Sequence, residues 1–236
     1  MTTPQEPLEA VADRYVLVER LGGGEAREVW RSHDDHAGRD VVLTRYRNVD
    51  ENWRAVFGRR ARQLEALSDP GIASVLAHDA TSEEPWLVTS YVDGESAATV
   101  HHDPGLSSDD ALAVLGQTAL ALASPHSAGI GHGNLAPDTV LIRTDGSVAL
   151  IGFAVARSPA PGDDLAALSR LSHQLLDDSP DDHAADITSF MRLLDGGDWR
   201  DPTDIGRTAL ALAAAQRVHP AAGGVPESVD AADDET

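Results

Sequence analysis

The sequence changes its periodicity once, near Asp93-Gly94, and this change constrains the fold more than any other feature. Before it, short runs of alternating and β-branched apolar residues, bounded by Gly and Asp turns, predict an antiparallel meander. After it, longer segments with apolar residues at helical spacing predict a mainly helical region. Because strands and helices are segregated along the chain, the pattern favours an α+β fold built in two parts.

The strand-rich part contains one helical segment. RYVLVERL, RDVVLTRYR, IASVLAHDA and PWLVTSYV are typical of strands, and WRAVFGRRARQLEALSD predicts a helix that ends at Asp69-Pro70. In the second part, SSDDALAVL, DDLAALSRL, DITSFMRLL and PTDIGRTAL begin helical segments, the first of them with Ser/Asp caps. These patterns divide the chain into a flexible leader (1–13), a strand-rich lobe (14–93), a helical lobe (94–218) and an acidic disordered tail (219–236).

The composition excludes several classes of function. A net charge of −21 argues against binding of nucleic acid or an anionic membrane through a basic face. Cysteine is absent, which excludes a thiolate nucleophile and a cysteine zinc site. No apolar run reaches the roughly 20 residues that span a bilayer, and MTTPQEPLEA lacks a secretory pattern, so we expect a cytoplasmic protein. All 18 basic residues are arginine, so no lysine is available to bind a phosphate.

Five segments in a consistent order resemble motifs of the Ser/Thr protein kinase (Hanks-type) family. LGGGEAREV resembles the glycine-rich loop, VVLTRY the strand of the ATP lysine, and LVTSYVDGES the hinge segment. GIGHGNLAPDTVLI resembles the catalytic loop, and ALIGFAVA the segment that contains D-F-G. The resemblance covers about residues 14–215. It implies a bilobal α+β kinase-like fold with a small antiparallel-sheet N-lobe (14–93), a mainly helical C-lobe (94–218) and a shortened activation segment.

The family's working positions hold other residues in this chain. Thr44 stands where the ATP lysine is expected, and the adjacent Arg45 should point to the other face of its strand. Arg60 stands at the helix glutamate and Asn134 at the base aspartate. Ala136 replaces the catalytic-loop lysine, Thr139 the asparagine metal ligand and Gly152 the aspartate of D-F-G. These replacements predict a pseudokinase that is not an enzyme and binds no metal in the family's way.

The nucleotide loop is also altered. Gly22 and Gly24 match the pattern, whereas Arg27 occupies the third glycine position, and the glycines could equally form a flexible β-turn. Val42 stands where the family has a small alanine above the adenine, and its methyl groups should crowd the pocket. We therefore expect no cofactor. A nucleotide-sensing protein that binds ATP without metal, through Gly22, Gly24 and the hinge at 89–91, stays an alternative.

The residues that frame the site match the family. Leu64, His132 and Phe153 match the apolar column that joins the two lobes, and Asp164 matches the buried aspartate that bonds the catalytic-loop backbone. An unpaired buried carboxylate would be costly, so we expect these bonds to be present. The segment between Gly152 and Asp164 is too short for a normal activation segment.

Other polar clusters have two readings. The HDDH stretch at 33–36 and the His101-His102 pair could be metal ligands, but residues adjacent in a turn rarely converge on one ion. Ser124 and His126 could belong to a hydrolase, but no G-x-S-x-G elbow is present, and His126 matches a packed histidine of the family. A third cluster consists of Arg59, Arg60 and Arg62. It is either a patch that docks a phosphate or phosphopeptide or a solvated helix face.

Together these features predict a protein-binding scaffold or allosteric regulator. Degeneration and the short activation segment resemble the pseudokinase domain attached to the actinobacterial MviN-type flippase. That resemblance implies partners such as an active Ser/Thr kinase, an FHA-domain protein or a cell-wall enzyme, with Thr2, Thr3 and Thr236 as candidate phosphorylation sites, whereas the RSPAPGD segment has Ser158 but no threonine. An atypical transferase on the kinase frame is the remaining alternative, with Asp138 and Asp145 as the nearest carboxylates.

Overall fold

The computed structural model of the protein describes residues 9–102, 106–155, 159–176, 184–196 and 201–218. The predicted α+β arrangement is confirmed, because a six-stranded sheet with one helix precedes a mainly helical lobe. The predicted tail at 219–236, residues 1–8 of the leader, and the candidate phosphorylation sites lie outside the described residues. No described helix is long and apolar enough to cross a membrane.

The N-terminal lobe is an antiparallel sheet in the order β1-β2-β3-β4-β6-β5. Its first strand begins inside the region expected to be a flexible leader, since Ala10 pairs with Val16 and Val11 pairs with Tyr15. The sheet therefore starts before residue 14. The elements of this lobe are β1 (Ala10–Val11), β2 (Tyr15–Gly23), β3 (Arg27–Asp34), β4 (Arg39–Tyr46), α1 (Glu51–Glu65), β5 (Val75–Asp79) and β6 (Trp86–Ser90).

Helix α1 packs against the sheet and carries Arg60, the residue at the position of the family's helix glutamate. Its first turn is capped by Asp50, whose carboxylate accepts the backbone N–H of Trp53 at 2.7 Å. The helix ends at Glu65, earlier than the predicted Asp69-Pro70, where the Asp69 carboxylate instead accepts the N–H of Gly71 in a turn. The apolar face of α1 packs on β5 and β6 through Phe57, Ala61, Leu64, Val75 and Leu87.

The C-terminal lobe packs its helices on a small sheet in the order β7-β8-β9. The four predicted helices are present, and the short helix α2 is an addition that the periodicity did not indicate. A 3-10 turn at Pro137–Thr139 leads into β8. The elements are β7 (Glu95–Ser96), α2 (Ala97–His102), α3 (Ser108–Ser127), β8 (Val140–Ile142), β9 (Val148–Leu150), α4 (Pro161–Leu176), α5 (Ala184–Asp195) and α6 (Pro202–Val218).

Helices α3 and α6 cross very closely at two glycines. A Cβ atom at Gly116 would lie 2.7 Å from Cγ of Leu210, and one at Gly206 would lie 2.7 Å from Cγ of Leu120. Each glycine therefore admits a leucine from the opposite helix. Residues of α3 and α6 belong to the same buried cluster, so this crossing is part of the core of the lobe.

Candidate functional site

A cleft between the two lobes is the main candidate site. Its volume is about 610 Å³, inside the range of about 300–1,000 Å³ that is usual for small-molecule pockets. Val42 lines its roof, so the crowding expected from this side chain does not close the cleft. The cleft is bordered by the β2–β3 turn (Leu21, Gly22, Gly23, Arg27), β4 (Val42, Thr44, Tyr46), the hinge (Thr89, Ser90, Tyr91, Val92) and the loops below (Asn134, Ala136, Asp138, Thr139, Gly152).

The turn between β2 and β3 requires glycine at a position that the sequence pattern did not single out. Gly23 has φ +109°, and a Cβ there would overlap the carbonyl oxygen of Arg27. The turn is closed by the N–H of Gly24, which donates to that carbonyl at 2.7 Å. Gly22 and Gly23 line the cleft, whereas Gly24 does not appear in its lining. The run of three consecutive glycines was the signal that could have identified Gly23.

The hairpin formed by β3 and β4 has two chemically different faces. Val42 and Thr44 face the cleft, whereas Arg45 lies on the opposite face, as the alternation predicts. There its guanidinium lies 2.9 Å from Glu28 and 3.1 Å from Glu84, and it also pairs with Glu9. Arg45 therefore cannot supply the charge that Thr44 lacks.

The floor of the cleft is formed by the loop at 131–139 and by Gly152. Asn134 reaches across the floor, because its Nδ2 donates to the carbonyl of Gly152 at 3.3 Å. Asp138 is exposed at the edge. Among the described residues that line the cleft, Arg27 is the one cation and Asp138 the one carboxylate.

The positions that the resemblance assigns to metal ligands do not fit a metal held in the family's manner. The hydroxyl of Thr139 lies 2.9 Å from the carbonyl oxygen of Ala136 and 3.0 Å from that of Asn134, and it accepts the N–H of Ala136 at 3.0 Å. This hydroxyl is committed to holding the loop, and Gly152 offers no side chain. We therefore assign no chemical step to a metal at these positions.

Arg60 is buried, which contradicts its place in a surface docking patch. Its side chain is only 2% exposed, and it points from α1 into the C-terminal lobe. Nη2 donates to the carbonyl of Gly131, and Nε lies 3.4 Å from the carbonyl oxygen of Ala154. Burial lowers the pKa of this guanidinium, and the negative charge of Asp164 opposes that shift. Arg59 and Arg62 are exposed, so only two members of the predicted patch reach the surface.

Asp164 holds the buried side of the same loop, as the sequence predicts. Its carboxylate accepts the N–H groups of His132 at 2.6 Å and Gly133 at 2.8 Å, and lies 2.8 Å from Nε2 of His126. Burial by itself raises the pKa of Asp164, but the hydrogen bonds from His126, Gly133 and His132 outweigh it and lower the pKa overall. The packed position expected for His126 is therefore observed.

His132 is fully buried and satisfied as a neutral ring. Nε2 lies 3.0 Å from the carbonyl oxygen of Ile151, and Nδ1 accepts the N–H of Asn134 at 3.2 Å. These two bonds assign the proton to Nε2. Burial lowers the pKa of His132 to about 4. Its ring centroid lies 4.3 Å from that of Phe153, which packs against the cluster that contains Leu64, so the structure brings the predicted column together.

The remaining predicted clusters lie elsewhere. His33 pairs with Asp40 at 3.1 Å, and Asp34 pairs with Arg14 at 2.7 Å, so the HDDH residues point to different partners. Asp145 accepts the N–H of Ser147 at 2.9 Å in the β8–β9 turn and does not line the cleft.

Comparisons with known proteins agree on one family. The chain is 31% identical to "Serine/threonine-protein kinase PknB" of Mycolicibacterium smegmatis over 168 residues, 68% of this chain and 26% of that protein. It has the same identity and coverage with PknB of Mycobacterium tuberculosis, and is 30% identical over 156 residues to "Probable serine/threonine-protein kinase CE0033" of Corynebacterium efficiens, 63% of this chain and 24% of that protein. The match thus spans about a quarter of the length of these relatives.

A solved structure supports the same fold. "PpkA-294" in its apo form superposes with a TM-score of 0.68 at 18% identity, over 88% of this chain and all of that chain. No protein-family model matches the chain.

The prediction that the chain is not an enzyme is contradicted by these comparisons, because the relatives are named Ser/Thr protein kinases. The prediction rested on residue types at six positions of the family's motifs. Those residue types exclude only the family's usual way of holding nucleotide and metal. The cleft keeps a cation, Arg27, and a carboxylate, Asp138, of its own.

Proposed function

Because the chain is a homologue of bacterial Ser/Thr protein kinases and has their bilobal fold, we propose that it binds an adenine nucleotide in the cleft and passes the occupancy of the cleft to a protein partner. The observation that carries this proposal is the open cleft of about 610 Å³ between the lobes. The departures from the family pattern at Arg27 and Val42 predict a crowded pocket without nucleotide, and the volume of the cleft supports the opposite.

The shape and chemistry of the cleft support a flat apolar ring at its inner end. Val29 and Val42 line the roof there, and Leu141 and Ile151 line the floor. The hinge between the lobes closes this end with Thr89, Ser90 and Tyr91. A slot of this kind buries an aromatic base on both faces and leaves the polyphosphate to point toward the glycine turn.

The proposal includes independence from divalent metal. Thr139 is bonded into its loop and Gly152 has no side chain, so neither position offers the carboxylate or amide oxygen that Mg²⁺ prefers. ATP at about 100 times its Kd should therefore raise Tm by about 5 °C or more, equally with Mg²⁺ and with EDTA. A thermal-shift titration measures this, with a Val42→Trp variant, whose indole fills the slot, as the control. Absence of any shift in the wild-type protein would contradict the proposal.

The protein partner is the second element of the proposed function. Closing of the lobes around a ligand would move α1 relative to the C-terminal lobe, and α1 exposes Arg59 and Arg62 at its surface. The partner classes are those implied by the resemblance: an active Ser/Thr kinase, an FHA-domain protein or a cell-wall enzyme. Affinity capture from the native host, with and without nucleotide and phosphatase, should recover one set of proteins whose yield changes with nucleotide. An identical yield with and without nucleotide would contradict the proposal that the partner senses the occupancy of the cleft.

Phosphoryl transfer is a second candidate function, favoured by the names of the relatives and by one carboxylate in the cleft. Asp138 is exposed at the cleft edge, where it could accept the proton of an acceptor hydroxyl. Transfer of label from γ-³²P-ATP to protein should then be lost in Asp138→Asn. Asp145→Asn, at a carboxylate in the β8–β9 turn away from the cleft, is the matched control and should retain transfer. Equal labelling of both variants would exclude Asp138 as the base.

A further inference from the structure

Arg27 differs from Arg45 and Arg47, at the end of the other strand of the β3–β4 hairpin, both in the face on which it lies and in its ion pairing. Arg45 and Arg47 lie on the outer face, where Glu28 lies 2.9 Å and 3.0 Å from them and Glu84 adds further contacts. Arg27 begins β3 on the cleft side, is exposed, and has no carboxylate within 4.0 Å of its guanidinium among the residues that the structure describes. The charges of Arg45 and Arg47 are thus compensated by carboxylates, as is that of Arg31 beside Asp40, whereas the charge of Arg27 at the cleft is not.

The position of Arg27 ties its charge to the glycine turn. Its carbonyl accepts the N–H of Gly24 at 2.7 Å, which fixes the backbone of Arg27 next to Gly22 and Gly23 at the mouth of the cleft. Arg27 lies directly opposite Tyr46 in the β3–β4 ladder, and both residues line the cleft. The backbone is anchored by the hydrogen bond from Gly24, and the side chain is exposed.

An anionic ligand in this cleft needs a local cation. The protein carries a net charge of −21, and the cleft floor contributes Asp138, so the surroundings repel a polyphosphate. Thr44 supplies no charge, and Arg45 lies on the far side of the sheet. A guanidinium presents a planar fork of donors that can bind a phosphate through two parallel hydrogen bonds.

We propose that Arg27 is the anion-binding residue of the cleft and donates hydrogen bonds to the phosphates of the bound nucleotide. The arginine at the third position of the glycine turn thereby supplies from the roof the positive charge that β4 does not supply. This inference rests on the proposed nucleotide binding for the identity of the ligand. The anion subsite itself can be tested without adenine.

Isothermal titration calorimetry in metal-free buffer tests the anion subsite and the nucleotide binding separately. ATP, adenosine and inorganic tripolyphosphate are titrated into the wild-type chain, Arg27→Gln, Arg27→Lys and the control Arg20→Gln. Arg20 is an exposed arginine on neighbouring β2 that neither lines the cleft nor forms an ion pair with any residue described. Arg27→Gln should weaken ATP and tripolyphosphate about tenfold or more and leave adenosine unchanged, because it removes a charge-assisted bond to phosphate only.

Two further results support the inference. Arg27→Lys should retain part of the ATP affinity because it keeps the charge but loses the fork, and Arg20→Gln should bind all three ligands like the wild-type chain. ATP affinity unchanged in Arg27→Gln would overturn the inference while leaving nucleotide binding in place. Arg27-dependent binding of tripolyphosphate without any binding of adenosine would support the anion subsite and contradict the nucleotide proposal. Binding of none of the three ligands by the wild-type chain would overturn both.

Discussion

The loop at 131–139 has a buried side and a cleft side, and the two are built differently. On the buried side, Asp164 holds two backbone N–H groups and Arg60 bonds the carbonyls of Gly131 and Ala154. On the cleft side, Asn134 makes one long side-chain bond to the carbonyl of Gly152, and Asp138 is exposed. Apart from the hydroxyl of Thr139, which bonds within the loop, the loop is held from behind, so the exposed residues Asn134 and Asp138 in front can change without loss of the fold.

Removal of the buried carboxylate should have the largest effect. Asp164→Ala leaves the N–H groups of His132 and Gly133 without an acceptor and isolates His126. We expect a loss of about 3–5 kcal/mol in the free energy of unfolding, measured by urea denaturation. Asp138→Ala, at a carboxylate on the cleft side, should change this free energy little. Similar losses in the two variants would remove the distinction between the two sides.

Removal of the buried guanidinium should have the next largest effect. Arg60→Met keeps the apolar stem but leaves the carbonyls of Gly131 and Ala154 without their donor. We expect a loss of about 1–3 kcal/mol in the free energy of unfolding and faster amide exchange at residues 131–134. Arg59→Met, at the exposed neighbour on the same helix, should leave both unchanged. Unchanged exchange in Arg60→Met would show that α1 does not hold this loop.

Acidification should weaken the buried side of the loop, where His132 lies. The pKa of His132 is lowered to about 4 in the folded protein, against about 6.5 for an ordinary histidine. Between these values the unfolded chain binds a proton that the folded chain does not, so stability falls as pH decreases from about 6.5 to 4, by up to about 1.4 kcal/mol per pH unit.

A comparison of pH profiles tests this assignment. His132→Gln removes the titrating ring, so its free energy of unfolding should lose most of the pH dependence in that window. Asp164, whose pKa is lowered, contributes at more acidic pH, where its bonds are lost as it becomes protonated. A profile for His132→Gln parallel to that of the wild-type chain would contradict the prediction.

A change on the cleft side should have the smallest effect. Val42→Ala removes two methyl groups from the roof and should raise nucleotide affinity several-fold with little change in stability, as measured by calorimetry and urea denaturation. Val41→Ala, at the next residue of β4, opens a cavity in the sheet core instead, since Val41 is fully buried. It should destabilise the lobe by about 1–2 kcal/mol without changing the affinity of the folded protein. Equal affinities for wild type and Val42→Ala would show that Val42 does not limit the slot.

The periodicity of the sequence predicted the long elements and missed the short ones. Helices α3, α4 and α6 carry repeated apolar positions over several turns, whereas β1 has two residues and α2 has six. Elements this short have no measurable period and are held by their neighbours. In the site, the motif order predicted that Gly22, Thr44, Asn134 and Gly152 lie around one cleft, which the structure places there.

The burial of Arg60 could not be predicted from its charge, which favours the surface. Arg60 bonds the carbonyls of Gly131 and Ala154, which follow it by 71 and 94 positions in the sequence. No local sequence pattern reaches that far. The helical spacing of Phe57, Arg60, Ala61 and Leu64 was nevertheless a usable signal, because it places the arginine on the apolar face of α1.

The close crossing of α3 and α6 has a consequence for how this lobe can diverge. A Cβ at residue 116 would lie 2.7 Å from Cγ of Leu210 and 3.0 Å from the carbonyl oxygen of Gly206, and a Cβ at residue 206 would lie 2.8 Å from the carbonyl oxygen of Gly116. A smaller leucine therefore does not by itself make room for a larger residue at either position, because the backbone of the opposite helix is also in the way. Related sequences should keep both glycines, or replace both together with a wider spacing between α3 and α6.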